Sequence, residues 1–207
     1  IAERVGNDAL TGIQSWKNES ECRDREDLGT YRLVTNVVVT FSNKVQFKEF
    51  YHNSSYLANG GSPEKATRAA FLSQIDSYLK QNNKYQKSDS KISFQDIEDC
   101  LAIVISSFST QTSYENQTKK AINNKGIQDS MTAFLKHQLE IYFIENPLEA
   151  EKIGNQVLIN MRSRVKAEKT RQGIKESLIQ NVSNLTNRIQ KFVDCRSKDT
   201  SVRELFI

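Results

Sequence analysis

Apolar positions along the chain fall into blocks with different periods. Tyr31 to Phe41 is dense in β-branched and aromatic residues, which predicts a strand. Ser42-Asn43-Lys44 signals a turn, and Val45, Phe47, Glu49 and Tyr51 then alternate with the positions between them. Residues 31–51 therefore read as an antiparallel hairpin. Asn53 to Gly61 reads as a loop ending in two glycines, after which Ser62 is placed to cap a helix with Pro63 and Glu64 in its first turn. Ala66, Ala69, Ala70, Leu72, Ile75 and Leu79 follow at spacings of three and four, and Asn82-Asn83-Lys84 stops the helix.

Ser93 begins a short turn with Asp96 three residues on as a reciprocal cap. Leu101 to Phe108 is apolar without alternation, as in a strand buried on both faces. A polar loop over 109–126 leads into an amphipathic helix from Ile127 to Glu145, with Met131, Phe134, Leu135, Leu139, Tyr142 and Phe143 on one side. Asn146-Pro147 starts another helix, which has no strong breaker before Gly173 and can run to Ile179. A further helix over about 185–193 and a short extended end complete the chain. Residues 1–29 are polar and weakly periodic, a mobile or loosely helical lead-in with Trp16 as its one strong anchor. The order β-β-α-β-α plus a long helix implies an α+β fold: a sheet with helices on one face, and a helical arm. The domain division that follows is a lead-in (1–29), an α/β core (30–146) and an arm (147–207).

Charge changes the picture only locally. The net charge of +4 over 207 residues is mild, but residues 1–29 hold 7 acids against 4 bases while residues 162–198 hold 10 bases against 3 acids. No apolar run is long enough to span a membrane. Residue 1 is Ile rather than Met and no charged-then-apolar leader follows it, so the chain is expected to be a piece of a longer protein. Cys22, Cys100 and Cys195 are odd in number and far apart, which suits free thiols in a reducing compartment such as the cytoplasm. His52 and His137 have no nearby Cys or His partner, so no metal site is expected. Asp96, Glu98 and Asp99 crowd one helical turn but read as a capped, solvated turn. His137 reads as a surface residue, and His52, at a strand end, stays undecided. The chain has no phosphate-gripping glycine loop, dinucleotide fingerprint or nucleophile elbow.

One polar loop carries more. Tyr114-x-x-Gln117-Thr118-Lys119 resembles the Gln-Thr-Lys loop of the B subunits of bacterial type IIA DNA topoisomerases, gyrase and topoisomerase IV. Its surroundings agree in order and spacing. Asn59-Gly60-Gly61-Ser62 with Arg68-Ala69-Ala70-Phe71 resembles that family's Gly-Gly-Thr-His loop and helix, and Glu145-Asn146-Pro147-x-x-Ala150 matches Glu-Asn-Pro-x-x-Ala. Met161-Arg162-Ser163-Arg164 is similar to Ala-Arg-Ala-Arg, while Asp194-Cys195-x-x-Lys198-Asp199 and Glu204-Leu205-Phe206-Ile207 resemble the stretch before the family's metal-binding Glu-Gly-Asp. The resemblance covers 31–207 and leaves 1–29 out. The chain departs from it at Ile174-Lys175-Glu176-Ser177, where many members have a further basic cluster. It departs again at Leu185 to Ile189, where they have Leu-Pro-Gly-Lys-Leu.

The resemblance implies a transducer domain, with the fold of domain 2 of a small-subunit ribosomal protein, a left-handed βαβ crossover and a long C-terminal helix. It implies ATP and Mg in the intact enzyme, with neither expected on this piece. It also implies DNA, a preceding ATPase domain of the same chain, a homodimer of B subunits and a DNA-cleaving A subunit as partners. Lys119 takes the family's catalytic position and Gln117 a second phosphate contact, with Lys120 in reserve. A lysine ammonium delivered to the γ-phosphate puts positive charge where negative charge develops, and losing one such donor costs about 3 kcal/mol. Arg162, Arg164, Lys166, Lys169 and Arg171 are candidates for the DNA backbone, forming a broad sleeve rather than a stripe. The expected function is coupling of ATP binding and hydrolysis to dimer-gate closure and strand passage, the piece alone being inactive. The competing reading is a non-catalytic nucleic-acid- or partner-binding α/β module with a basic arm.

Overall fold

The structure, a computed structural model, describes residues 1–186 together with 199 and 201. The chain divides into two units, Ile1–Ser163 and Arg164–Ile207. A short helix α1 (Ala2–Val5) and a 3-10 turn precede strand β1 (Gln14–Cys22). Then come β2 (Tyr31–Phe41), β3 (Phe47–His52), β4 (Ser55–Tyr56), α2 (Ser62–Gln81), α3 (Phe94–Glu98), β5 (Leu101–Ser109), α4 (Lys125–Glu145) and α5 (Pro147–Thr186). The strands form one mixed sheet in the order β1-β2-β5-β3-β4, antiparallel except for the parallel pair β3–β5. The fold is α+β.

The lead-in is a correction. Residues 14–22 are neither mobile nor helical but pair along their whole length with β2, from Gln14 opposite Val39 to Cys22 opposite Tyr31. Their inward positions are Gln14, Trp16, Asn18, Ser20 and Cys22, mostly polar, so no hydrophobic alternation announces the strand. Trp16 does pack edge-on against Tyr142, with ring centroids 6.3 Å apart, but it is not the lone anchor. Val5, Thr11 and Cys22 are buried, the Ser20 and Ser130 hydroxyls lie 2.8 Å apart, and the Gly12 amide donates to Glu149 Oε1 at 2.8 Å.

The hairpin is the second correction. β2 and β3 do not pair; β5 lies between them, antiparallel to β2 and parallel to β3. Leu33, Val37 and Val39 on β2 face the core with Leu101, Ile103 and Ile105 on β5, all buried, while Val34, Val38 and Val104 on the other face are only half-buried. Strand β5 is thus central, yet covered on both faces only at its start, and Phe108 near its end is 43% exposed.

Helices α2 and α4 pack together over the covered face. Phe71, Ile75 and Leu79 of α2 and Met131, Leu135 and Leu139 of α4 are buried there, each contributing roughly 1.5–3 kcal/mol of transfer free energy. Helix α2 begins one residue earlier than expected: Gly61 occupies the cap position, and the Ser62 hydroxyl donates instead to the carbonyls of Asn124 at 2.8 Å and Ile122 at 3.2 Å. The reciprocal cap of Ser93 and Asp96 on α3 is present as the spacing predicts, although Asp96 is fully buried rather than solvated.

Helix α5 continues through Gly173 and past Ile179. Within the first unit it buries Ala150, Ile153, Val157, Leu158 and Met161. From residue 165 to 180 its side chains are mostly exposed. The separate helix expected over about 185–193 and the motif at 194–207 lie outside the described residues, apart from the helical Leu185 and Thr186 and the isolated Asp199 and Ser201. No described helix is long and apolar enough to cross a membrane.

Candidate functional site

The polar loop between β5 and α4 is held at its base and open at its tip. After β5, the Ser113 amide donates to Asn124 Oδ1 at 2.7 Å, and the Asn123 amide returns to the Ser113 carbonyl at 3.0 Å. Asn124 is 2% exposed, and its Nδ2 donates to Asp24 Oδ2 at 2.7 Å. Asp24 Oδ1 also accepts from the Gly126 amide at 2.8 Å and the Tyr31 hydroxyl at 2.7 Å. Burial pushes the Asp24 carboxyl up, but the bonds from Tyr31, Gly126 and Asn124 outweigh it and hold it below the ordinary carboxylate range.

A glycine lets the start of α2 meet this loop. Gly61, at φ +88°, forms a parallel bridge with Ile122, and a Cβ there would lie 2.3 Å from the Ile122 carbonyl oxygen. The Ser62 amide donates to that same oxygen at 2.8 Å, and the Asn59 amide donates to the Lys120 carbonyl at 2.9 Å. Tyr114 pairs across the loop with Ile122, and the Glu115 amide donates to the Ala121 carbonyl at 3.0 Å.

Residues 115–120 project beyond this base, all exposed. The tip is closed by Asn116, whose carbonyl accepts from the Lys119 amide at 3.2 Å and whose Oδ1 accepts from both the amide and the hydroxyl of Thr118. The turn sets Lys119 at φ +55°, a conformation that costs a non-glycine residue roughly 1 kcal/mol or more. Its ammonium sits 5.6 Å from the centroid of the Tyr114 ring. Among the described residues neither Lys119 nor Lys120 has an ion-pair partner. Gln117, Lys119 and Lys120 therefore share one exposed tip, with two cations available to an incoming anion.

The basic-arm candidates divide. Arg162 lies in the first unit and is held by Asp89. Arg164 pairs with Glu168 at 3.3 Å. Lys166, Lys169 and Arg171 are exposed and have no ion-pair partner among the described residues. Asp24 and Asn124 were not singled out by sequence reasoning as contributors to the loop. Asp24 sits in an acidic run and Asn124 in a polar one, and only their hydrogen bonds distinguish them. His52 has no exposed surface, and burial pushes its imidazole down to about 4. His137 is exposed, as its position implies. Glu98 pairs with Lys48 at 2.5 Å.

Among the described residues no group of three or more His, Cys, Asp or Glu side chains is placed to hold a metal. A cavity of about 370 Å³ lies between the ends of α2 and α4 and the start of α5, lined by Tyr78, Phe143, Ile144 and Pro147 with polar neighbours; no residue of the 110–124 loop lines it.

The sequence model of the DNA gyrase B family matches residues 9–173. This span takes in β1, where no motif carries a resemblance. The DNA gyrase B subunit of Metamycoplasma arthritidis is 31% identical over 173 residues, which are 84% of this chain and 25% of that protein. That of Mycolicibacterium smegmatis is 29% identical over 170 residues, 82% of this chain and 23% of that protein. The chain thus spans about a quarter of the length of these relatives. Among solved structures, the 43K ATPase domain of Thermus thermophilus gyrase B in complex with an aminocoumarin superposes with a TM-score of 0.67 at 17% identity, covering 83% of this chain and 44% of that one. The topoisomerase IV ATP-binding domain of Francisella tularensis, in complex with a small-molecule inhibitor, gives 0.57 at 21% identity, covering 72% and 40%.

Proposed function

The chain belongs to the DNA gyrase B family, and on that premise we propose that it is the transducer segment of an ATP-dependent type II DNA topoisomerase B subunit. The observation that carries this reading is the tip of the 110–124 loop: an exposed lysine without a counter-ion, in a strained backbone conformation, on a base pinned from several sides. The fold we assign is the ribosomal-protein domain-2-like one, with a left-handed crossover joining the parallel strands β3 and β5 through α2, followed by the long helix α5. The intact protein would be a cytoplasmic isomerase.

The described residues fit a phosphate and not a whole nucleotide. Two lysines and a glutamine suit phosphate oxygens, but no loop residue lines the described cavity and no carboxylate set suits Mg. ATP and Mg are therefore assigned to the preceding domain of the same polypeptide, where ATP when bound supplies the terminal phosphoryl group. Lys119 places its ammonium against that group, and Gln117 donates its amide to a phosphate oxygen or fixes the tip; Lys120 is the reserve. The loop gains these contacts only while the third phosphate is present, so its affinity differs between the two nucleotide states, as a switch requires. Helix α5 carries the resulting movement toward the DNA-handling part of a B-subunit dimer joined to its A subunits. Alone, the segment neither hydrolyses ATP nor cuts DNA.

The test is Lys119→Ala in the full-length B subunit assembled with its A subunit. Removing one preorganised donor lowers ATP turnover by about two to three decades, with Lys120→Ala much milder. Near-normal turnover in Lys119→Ala would sink the reading.

A further inference from the structure

Where the loop leaves β5, a buried histidine outside the sensing tip sits among hydroxyls. His52, the last residue of β3, has no exposed surface; its Nδ1 lies 2.8 Å from Ser107 Oγ and its Nε2 lies 2.9 Å from Thr112 Oγ1. The hydrogen positions follow from counting, since each hydroxyl has one proton to give. The Ser107 hydroxyl donates to the Tyr51 carbonyl at 3.1 Å, so towards the ring it can only accept, which puts the proton on Nδ1. Nε2 is then bare and accepts. Ser109 Oγ, 3.1 Å from both Nε2 and Thr112 Oγ1, gives its proton to the Gln111 carbonyl at 2.7 Å, so the Thr112 hydroxyl is the donor left for Nε2, its nearer acceptor at 2.9 Å. Asn53 Nδ2 in turn donates to Thr112 Oγ1 at 3.1 Å. The result is a directed chain from Asn53 through Thr112 and His52 to Ser107 and the β3 backbone. It needs the neutral Nδ1–H imidazole, the form that the desolvated site favours.

We infer that His52 is a positioning residue for the sensing loop, fixing Thr112 so that the tip leaves the sheet in one direction. Thr112 and Ser113 are neighbours held by different parts of the fold, the first by His52 on β3 and the second by Asn124 ahead of α4. On the outgoing side, beyond Thr112 and Ser113, the described bonds of the loop are its own cross-loop ones, while its returning side is pinned at Lys120 to Ile122 by Asn59, Gly61 and Ser62. A lysine that must meet a phosphoryl group held on another domain gains little from charge alone if its loop samples many directions, because misplacement by about 1 Å can cost as much as 100-fold in rate. The inference rests on the phosphate-sensing reading of the loop and adds the part that aims it.

Thr112→Val keeps the shape and removes the proton donor; Thr112→Ser keeps the donor. Both are made in the full-length B subunit, together with His52→Asn, which keeps a donor near Nδ1 but nothing at Nε2, and His52→Gln, whose carbonyl oxygen reaches the Nε2 position. Deuterium uptake by peptides spanning 110–124, without nucleotide, should be about tenfold faster in Thr112→Val and His52→Asn, and close to the parent in Thr112→Ser and His52→Gln. With the A subunit present, Thr112→Val should lower kcat for ATP hydrolysis by about tenfold while leaving KM within about twofold, as expected for a contact made chiefly in the transition state. Parent-like uptake in Thr112→Val, or equal defects in Thr112→Val and Thr112→Ser, overturns the inference. If His52→Asn does not fold, the Thr112 pair decides alone. Because uptake is read without nucleotide, a released Thr112→Val loop alongside a normal Lys119→Ala enzyme sinks the phosphate reading and spares the tether. An unchanged Thr112→Val loop sinks the tether whatever Lys119 does.

Discussion

The guanidinium of Arg162 grips the carboxylate of Asp89 through two contacts, Nε to Oδ1 at 3.0 Å and Nη2 to Oδ2 at 2.7 Å. The Asp89 side chain is 5% exposed and that of Arg162 41%. The Arg162 hydrogen bond also holds the Asp89 carboxyl below its ordinary range. With Lys84 to Glu151 at 2.5 Å and Asn160 Nδ2 to the Asp96 carbonyl at 2.9 Å, this pair ties the connection after α2 and the turn at α3 to the first half of α5. Arg162 thus has a structural partner already, as Arg164 has in Glu168, which separates the two from Lys166, Lys169 and Arg171.

Asp89→Ala and Arg162→Ala should each lower stability by about 1 kcal/mol, the upper end for an ion pair with one exposed partner because the geometry is bidentate and the Asp89 side chain is largely covered. The double variant should be hardly worse than either single one, since they remove the same interaction. Urea unfolding of the four proteins measures the coupling. Purely additive losses would show that the pair contributes nothing of its own.

DNA affinity should depend on Lys166, Lys169 and Arg171 far more than on Arg162. Replacing the three with alanine should reduce the slope of log K against log salt by about 2–3, roughly 0.9 for each phosphate no longer neutralised. Arg162→Ala should leave the slope nearly unchanged. Filter or anisotropy titrations of the full-length protein across salt concentrations decide this, and an unchanged slope in the triple variant removes the arm from the DNA interface.

Asp24 should contribute to stability in a pH-dependent way. Its folded pKa is depressed, so its contribution is complete above the unfolded value of about 3.9 and lost as pH falls through the lower folded value. Asp24→Ala should therefore cost about 2 kcal/mol near neutral pH, and the gap to the parent should close at acid pH. Denaturant midpoints of both proteins at about pH 7 and pH 3 test the sign; a gap that widens on acidification would contradict it.

Gly61→Ala should be among the most damaging single changes at the loop. A Cβ would meet the Ile122 carbonyl oxygen at 2.3 Å and its amide nitrogen at 2.7 Å, and the φ of +88° disfavours any side chain. A loss of about 3 kcal/mol is expected, or roughly 6–12 °C in melting temperature for a chain of this size. Gly173→Ala, with nothing within 4 Å of the added carbon, supplies the control and should be neutral or slightly stabilising. Similar melting temperatures for the two would show that the close approach of Gly61 to Ile122 is not maintained in solution.

Much of the molecule was legible in one dimension. Spacings of three and four placed α2 and α4 to within a residue or two, because the residues that make a helical stripe are near neighbours in the chain. The Ser93–Asp96 cap, the density of β-branched residues in β2 and the location of the polar loop are local in the same sense. That Gln117, Lys119 and Lys120 share this exposed loop is local too, and the motifs around them carry the family that the gyrase B model matches.

What tertiary structure alone decided is which distant residues meet. Strand period says that 47–52 is extended but not that β5 separates it from β2. Both β2 and β5 offer β3 a ladder of backbone donors and acceptors, and the choice rests on burying Leu101 to Ile105 at the centre. Strand β1 escaped notice because an edge strand with polar inward residues draws its order from the ladder to β2 rather than from its own pattern. The engagement of Arg162 by Asp89, the support of Asn124 by Asp24, and the hydroxyl cage around His52 span 73, 100 and up to 60 residues of sequence respectively. Periodicity reports the environment a side chain needs, whereas the partner that provides it is set by folding the whole sheet.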